Sequence, residues 1–196
     1  KLQNYLASVM KSSEEPGYLI LNEHKPVITL GKREEGQNLL IETELLKNKE
    51  VELFKVDRGG FATFHGPGQL VGYPVINLNL MHLTVKEHIS LMEEAIIKLL
   101  NIYGIEGYRN KEFPIGVWVK EKKICSFGIQ IINNISIHGF ALNINTDLNY
   151  FKLINPCGIN LIDIITNLYA HTKLKISKNT IISDYKKIFC ELYNCV

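Results

Sequence analysis

The chain has little that would commit it to a stapled, metal-bound or membrane-spanning fold. Its four cysteines, Cys125, Cys157, Cys190 and Cys195, form no Cys-x-x-Cys pair and stand at no spacing that joins cysteine to histidine in a zinc site. A reducing compartment with free thiols, and no metal site built on cysteine, are therefore expected. No apolar run approaches the length of a bilayer span, and residues 1–10 are not a charged segment leading into an apolar signal core, which argues for a soluble protein without a membrane partner. A dense Lys/Arg block with interleaved aromatics is also missing, and the net charge is only +2, so a nucleic-acid partner is not expected. Repeats, low-complexity linkers and sharp shifts of composition are absent. With 196 residues, 46% hydrophobic and 21% charged, the chain can bury one good core and reads as a single domain over residues 1–196. It begins without an initiator Met, which leaves a removed leader open.

Against that plain background stands Arg58-Gly59-Gly60-Phe61-Ala62-Thr63-Phe64-His65-Gly66-Pro67-Gly68-Gln69-Leu70, with four glycines and a proline in thirteen residues. Glycine lets main chain approach a ligand closely or take a positive φ, and Pro67 stiffens the approach. Residues 51–56 before it and 70–78 after it read as strands, so the loop is held on rigid elements at the rim of a sheet. The spacing is neither that of a Walker loop nor that of a dinucleotide fingerprint.

Elsewhere the pattern predicts short strands at residues 18–21 and 26–30 joined by a hairpin turn over 22–25, and a short helix over 38–47. The clearest helix spans 85–103, where Ile89, Met92, Ile96, Leu99, Leu100 and Tyr103 form one stripe. Thr84 and Glu87 give it a capping box and Gly104 a stop. Residues 115–145 predict three antiparallel strands broken at Gly116, Gly128, Asn133-Asn134 and Gly139, and a last helix is expected over 180–193. Runs of strands between grouped helices argue for an α+β fold.

Cys157 lies in Asn155-Pro156-Cys157-Gly158, where a turn presents the thiol. A thiol at its ordinary pKa of about 8.5 is only about 3% ionised at pH 7, so a nucleophilic cysteine needs a cation or base beside it. Lys123, which follows the charged run Lys120-Glu121-Lys122 and enters a strand, supplies one if it points inward. Strand alternation puts Cys125 on the face of Lys123 and makes it a rival nucleophile. His65 and His138 lack a histidine four residues on or an adjacent carboxylate, which disfavours a metal site, while a Cys-His dyad stays open.

Taken in order, Arg58-Gly59-Gly60-x-x-Thr63-Phe64-His65-Gly66-Pro67-Gly68-Gln69-Leu70-Val71-Gly72-Tyr73-Pro74, then Gly116-Val117-Trp118-Val119 with Lys122-Lys123-Ile124-Cys125-Ser126-x-Gly128, then His138-Gly139-Phe140-Ala141-Leu142-Asn143, and finally Asn155-Pro156-Cys157-Gly158, closely resemble the lipoyl(octanoyl) transferase family. The resemblance covers residues 18–163. It implies the fold of biotin and lipoate protein ligases and transferases, a large mixed sheet flanked by helices. The implied reaction, part of lipoate biosynthesis, moves an octanoyl or lipoyl group from the thioester of acyl carrier protein, through a cysteine acyl-enzyme, to a lysine of a lipoyl domain. By the same resemblance Cys157 is the nucleophile and Lys123 the lysine that lowers its pKa and shuttles the proton. Arg58, Gly59, Gly60, Phe61, Ala62, Thr63, Phe64, His65 and Gly66, with Ser126, Phe127 and Gly128 and with His138, Gly139, Phe140 and Ala141, match the substrate-binding stretches. Phe64 stands where the motif often has Tyr. Implied partners are octanoyl-acyl carrier protein and the lipoyl domains of 2-oxoacid dehydrogenases and of the glycine cleavage H protein. The implied compartment is the cytoplasm for a bacterial chain, or a mitochondrial matrix or plastid stroma if a leader was removed. An ATP-dependent lipoate or biotin ligase, and a non-catalytic module binding the carrier or the lipoyl domain, are the competing readings.

Overall fold

A computed structural model describes residues 2–33, 38–113, 115–155 and 164–194. Two tight turns set up its central strands. Lys120 and Glu121 take φ of 46° and 64°, and Asn133 and Asn134 take 49° and 62°. Two consecutive left-handed residues match the right-handed twist of the strands they join. They link β7 (Gly116–Val119), β8 (Lys122–Ile132) and β9 (Ile135–Asn143) into the antiparallel meander that the sequence predicts.

With β1 (Gly17–Asn22), β5 (Gln69–Asn77) and β6 (Tyr108–Arg109) these form a six-stranded sheet ordered β1-β5-β9-β8-β7-β6, antiparallel at every pairing. A second sheet, ordered β3-β2-β4, joins β2 (Val27–Leu30) to β3 (Glu52–Lys55) in parallel and to β4 (Ala62–His65) antiparallel. The fold is α+β, and its one parallel strand pair among the described residues lies in this smaller sheet. β4 lies inside the glycine-rich stretch, which is thus strand and loop in turn.

The predicted hairpin over 18–30 does not form. Both strands exist, but β1 pairs with β5 and β2 with β3 and β4. The connecting residues are anchors between sheets: Glu23 accepts from the Gly68 amide at 2.9 Å and pairs with Lys178 at 3.0 Å, and His24 bonds the Tyr73 hydroxyl at 2.6 Å. The predicted helix over 38–47 shrinks to α2 (Thr43–Asn48), because Leu39 bridges Ile154 and Leu40 donates to the Leu153 carbonyl.

Helices α3 (Val85–Ile102) and α4 (Lys178–Tyr193) cover one face of the large sheet over a core that includes Leu70, Ile96, Leu99, Val117, Cys125, Leu142 and Tyr185. The capping box at Thr84 and Glu87 is formed in both directions. Trp118, Ile28, Phe64, Phe151 and Ile165 form a second core beside the small sheet, and α1 (Leu2–Val9) covers Val75, Ile135 and Ile137. Among the described residues no helix is long and apolar enough to cross a membrane.

Candidate active site

The glycine-rich stretch reaches the large sheet through backbone. Gly59 donates to the Ile129 carbonyl at 3.0 Å, laying residues 58–61 across β8. A Cβ on Gly128 would stand 3.0 Å from the Gly59 carbonyl oxygen and 3.1 Å from Arg58 Cδ, so a side chain there would lift the loop off the strand. Arg58 fixes the other side: its guanidinium donates to the Thr29 carbonyl at 2.7 Å, to Thr29 Oγ1 at 2.9 Å and to the Gly59 carbonyl at 3.0 Å. Charge-assisted bonds of this kind hold a turn at fixed height.

Beneath this arch is a cavity of about 370 Å³. Of the residues that resemblance singles out, Arg58, Gly59, Gly60, Phe61, Ala62, Thr63, His65, Lys123, Ser126, Phe127, Gly128, His138, Gly139, Phe140 and Ala141 all line it. Phe64 and Gly66 do not. Phe64 alternates away from its neighbours on β4 and is buried, its ring stacked on Tyr150 at 4.5 Å and edge-on to Phe151 at 5.7 Å. Arg33, Val71, Tyr73, Ile89, Ile115 and Ile129 also line the cavity, and none was anticipated. The hydrophobic ones read in sequence as ordinary core or strand residues, so only tertiary placement could find them.

Lys123 points inward and is 3% exposed. Its stem crosses Gly116: a Cβ on that glycine would meet Lys123 Cε at 2.2 Å and the Cys125 carbonyl oxygen at 2.7 Å. Its Nζ stands 5.9 Å from the centre of the Trp118 ring, within cation–π range. Cys125 does not share its face. The ladder shifts between Val117 and Trp118, with Val117 opposite Cys125 and Trp118 opposite Lys123, and this bulge turns Cys125 into the helix-side core. Burial pushes the Cys125 thiol well above its ordinary range, against the opposing field of Lys123. A buried protonated thiol is a poor nucleophile, so the rival role falls away.

Cys157 lies outside the described residues. Of the described residues on either side of it, Asn155 is held on Asn38, and Ile164 and Thr166 on the backbone of Lys123. Asn155 donates to the Asn38 carbonyl at 2.8 Å, Lys123 donates to the Ile164 carbonyl at 2.7 Å, and Thr166 donates to the Lys123 carbonyl at 3.0 Å. Residues 164–166 thus run parallel to β8 as a bridge on the backbone of Lys123.

Three histidines surround the cavity or its rim. Burial pushes His65 down to about 3; Gln69 opposes this, and Arg58, His24 and His138 add to it. His138 falls to about 4, first by burial and then by Arg58. His24 is lowered by burial. All three are neutral at pH 7. Among the described residues no group of three or more His, Cys, Asp or Glu is arranged to hold a metal ion.

The chain around this backbone arch, cavity and buried lysine is similar to known proteins. A family model described as the lipoyl protein ligase A/B catalytic domain matches residues 1–190. The chain belongs to the lipoyl protein ligase A/B family. Among its relatives in that family, a Parabacteroides distasonis octanoyltransferase is 40% identical over 185 residues, which is 90% of this chain and 83% of that protein. A Porphyromonas gingivalis octanoyltransferase is 41% identical over 161 residues, covering 79% of this chain but only 32% of its own length. The chain therefore spans about a third of one octanoyltransferase relative and most of the other. The lipoyl ligase fold is shared with a lipoate-protein ligase A solved with ATP bound, at a TM-score of 0.79 and 16% identity over 99% of this chain and 81% of that one. A bipartite lipoate protein ligase from Thermoplasma acidophilum, studied with its E2 lipoyl domain, superposes at 0.74 with 16% identity over 98% and 79%.

Proposed function

We propose that this chain is an octanoyltransferase of lipoate biosynthesis. It takes an octanoyl group from the thioester of acyl carrier protein onto Cys157 and passes it to the ε-amine of a lysine on a lipoyl domain. The observation that carries this reading is Lys123, a buried lysine whose stem runs into an apolar-walled cavity beneath the glycine arch. At about 0.8 kcal/mol per methylene withdrawn from water, the alkyl tail of an octanoyl group gains about 5 kcal/mol in such a wall. A cavity of about 370 Å³ lies within the ordinary size range for small-ligand sites.

Chemistry then needs no external energy. Thioester exchange onto Cys157 is nearly isoenergetic, and aminolysis to an amide is downhill. Lys123 accepts the thiol proton as Cys157 attacks and returns it to the departing carrier thiol. In the second half the amine forms the new C–N bond, the C–S bond breaks, and the amine's proton reaches the Cys157 sulfur through Lys123. Backbone N–H groups of the glycine-rich segments are donors for the oxyanion. Residues 164–166 are anchored on the Lys123 backbone, which ties the chain downstream of Cys157 to the proposed base. Lipoyl domains of 2-oxoacid dehydrogenases and the glycine cleavage H protein are the proposed acceptors.

Intact-protein mass spectrometry after mixing with octanoyl-acyl carrier protein, without ATP, tests the reading. An octanoyl adduct is expected on the wild type and on Cys125→Ala, and none on Cys157→Ala. Lys123→Ala is expected to acylate far more slowly at pH 7 and to recover in part at higher pH, as more of the thiol ionises unaided. Adduct formation by Cys157→Ala at the wild-type rate would remove the covalent route.

A further inference from the structure

The cavity wall contains a histidine whose tautomer is dictated by a carbonyl three hydrogen bonds away. The backbone carbonyl of Thr166 can only accept, and it receives Asn143 Nδ2 at 3.1 Å. Asn143 must then turn its Oδ1 the other way, where Gln69 Nε2 donates to it at 2.9 Å. The second N–H of the same amide goes to the Phe64 carbonyl at 3.2 Å. Gln69 is left with Oε1 facing His65 Nδ1 at 2.8 Å, and an oxygen there requires a proton on Nδ1. In a neutral ring the lone pair consequently sits on Nε2. His65 lines the cavity, and no described residue bonds its Nε2. His24, whose ring centre is 5.6 Å from that of His65, is already engaged with Tyr73.

This chain is buried, with Gln69 1%, Asn143 4% and Thr166 4% exposed, so water cannot reassign its donors. It also ends where the chemistry is. Thr166 donates its own amide to the Lys123 carbonyl, so one set of hydrogen bonds joins the His65 ring to the backbone of Lys123. Charged and titratable groups facing His65 are Arg58, His24 and His138, and each disfavours protonating it. An uncharged acceptor of fixed direction selects a ligand that brings an N–H. At the acylated carbon the reactant with N–H groups is the amine nucleophile, whose nitrogen gains positive charge as it attacks.

We propose that Gln69 and Asn143 are positioning residues that hold His65 as an Nε2 acceptor for the ε-amine of the acceptor lysine, orienting its lone pair toward the acyl carbon. The proposal rests on the transferase reading above. His65 takes no proton in this step; it accepts a hydrogen bond while the C–N bond forms and the C–S bond breaks, and the proton leaves toward Lys123.

The test separates the two half-reactions. Wild type, His65→Asn and His65→Gln are octanoylated with octanoyl-acyl carrier protein, and both acyl-enzyme formation and discharge onto an isolated lipoyl domain are timed by intact mass. His65→Asn keeps an N–H for Gln69 but has nothing at the Nε2 position, so discharge is expected to fall about tenfold further than acylation, the size of one lost hydrogen bond. His65→Gln puts an amide oxygen near that position and is expected to regain most of the loss. Long-range 1H–15N spectra of the wild type should show His65 protonated at Nδ1 and not titrating between pH 5 and 8. The inference is overturned if both half-reactions fall equally, if His65→Gln discharges no faster than His65→Asn, or if the proton is on Nε2. A wild type that forms no acyl-enzyme would sink the transferase reading, and this inference with it, while the NMR assignment of the tautomer would still stand.

Discussion

Gly116 carries no side chain, and Lys123 uses the space. Because the methylenes of Lys123 and the Cys125 carbonyl both lie where a Cβ on residue 116 would project, Gly116→Ala has to displace one or the other. The backbone of β8 is paired on both sides, so the lysine stem yields first. A shift of about 1 Å in a reacting group can cost about a hundredfold in rate, whereas an overpacked methyl costs about 1–3 kcal/mol of stability. Gly116→Ala is accordingly expected to slow acylation by at least about tenfold while still folding, checked by single-turnover kinetics beside urea unfolding. A wild-type acylation rate would show that the Lys123 stem is not held where the structure puts it.

Among the elements, α3 illustrates how local signals and tertiary burial divide the work. Its start is set by Thr84, which accepts from the Glu87 amide while the Glu87 carboxylate accepts from the Thr84 amide at 2.8 Å. Thr84→Ala is expected to cost about 1 kcal/mol in urea unfolding. Leu99, fully buried between α3 and the sheet, should cost about 2–5 kcal/mol when cut to Ala. Neither touches the cavity, so neither should change the acylation rate. Elements with such local marks were legible in the sequence. The capping box, the left-handed Asn133-Asn134 pair and the stripe of α4 each needed only near neighbours. Partners distant in sequence were not legible. The strand at residues 18–21 is the same strand whether it pairs with 26–30 or with β5, and only the anchors at Glu23 and His24, which depend on Lys178 and Tyr73, decide. Likewise, strict alternation places Lys123 and Cys125 together, and a bulge set by the partner strand β7 parts them. The four ordered motifs marked most of the cavity wall, whereas Ile89 and Ile115 were hidden among ordinary apolar residues.

Across the whole molecule, burial of neutral histidines ties stability to pH. His88 is fully buried, bonded through Nε2 to Ser136 Oγ at 3.0 Å and through Nδ1 to the Tyr193 hydroxyl at 2.9 Å, and its pKa is pushed down to about 4 by burial. His65, at about 3, and His138, at about 4, behave alike. Between these values and the ordinary 6.5 the unfolded chain binds more protons than the folded one. Their contribution is therefore complete above about pH 6.5 and is lost as the pH falls toward about 4 for His88 and His138 and toward about 3 for His65. For His88 the full shift corresponds to about 3 kcal/mol. Urea midpoints are expected to fall steadily from pH 7 to pH 4, and His88→Gln, less stable at pH 7, should show a shallower fall. A midpoint independent of pH over this range would contradict neutral burial.

The clamp on Lys123 has a bearing on time as well as place. One residue gives its amide to Ile164 and its carbonyl to Thr166, so the peptide groups on both sides of the lysine are held by a single stretch of chain. Releasing that stretch frees both bonds in one event. The amide protons of Lys123 and Thr166 should then trade with deuterium on a shared clock, and an acyl group that seals the cavity should slow both by the same factor.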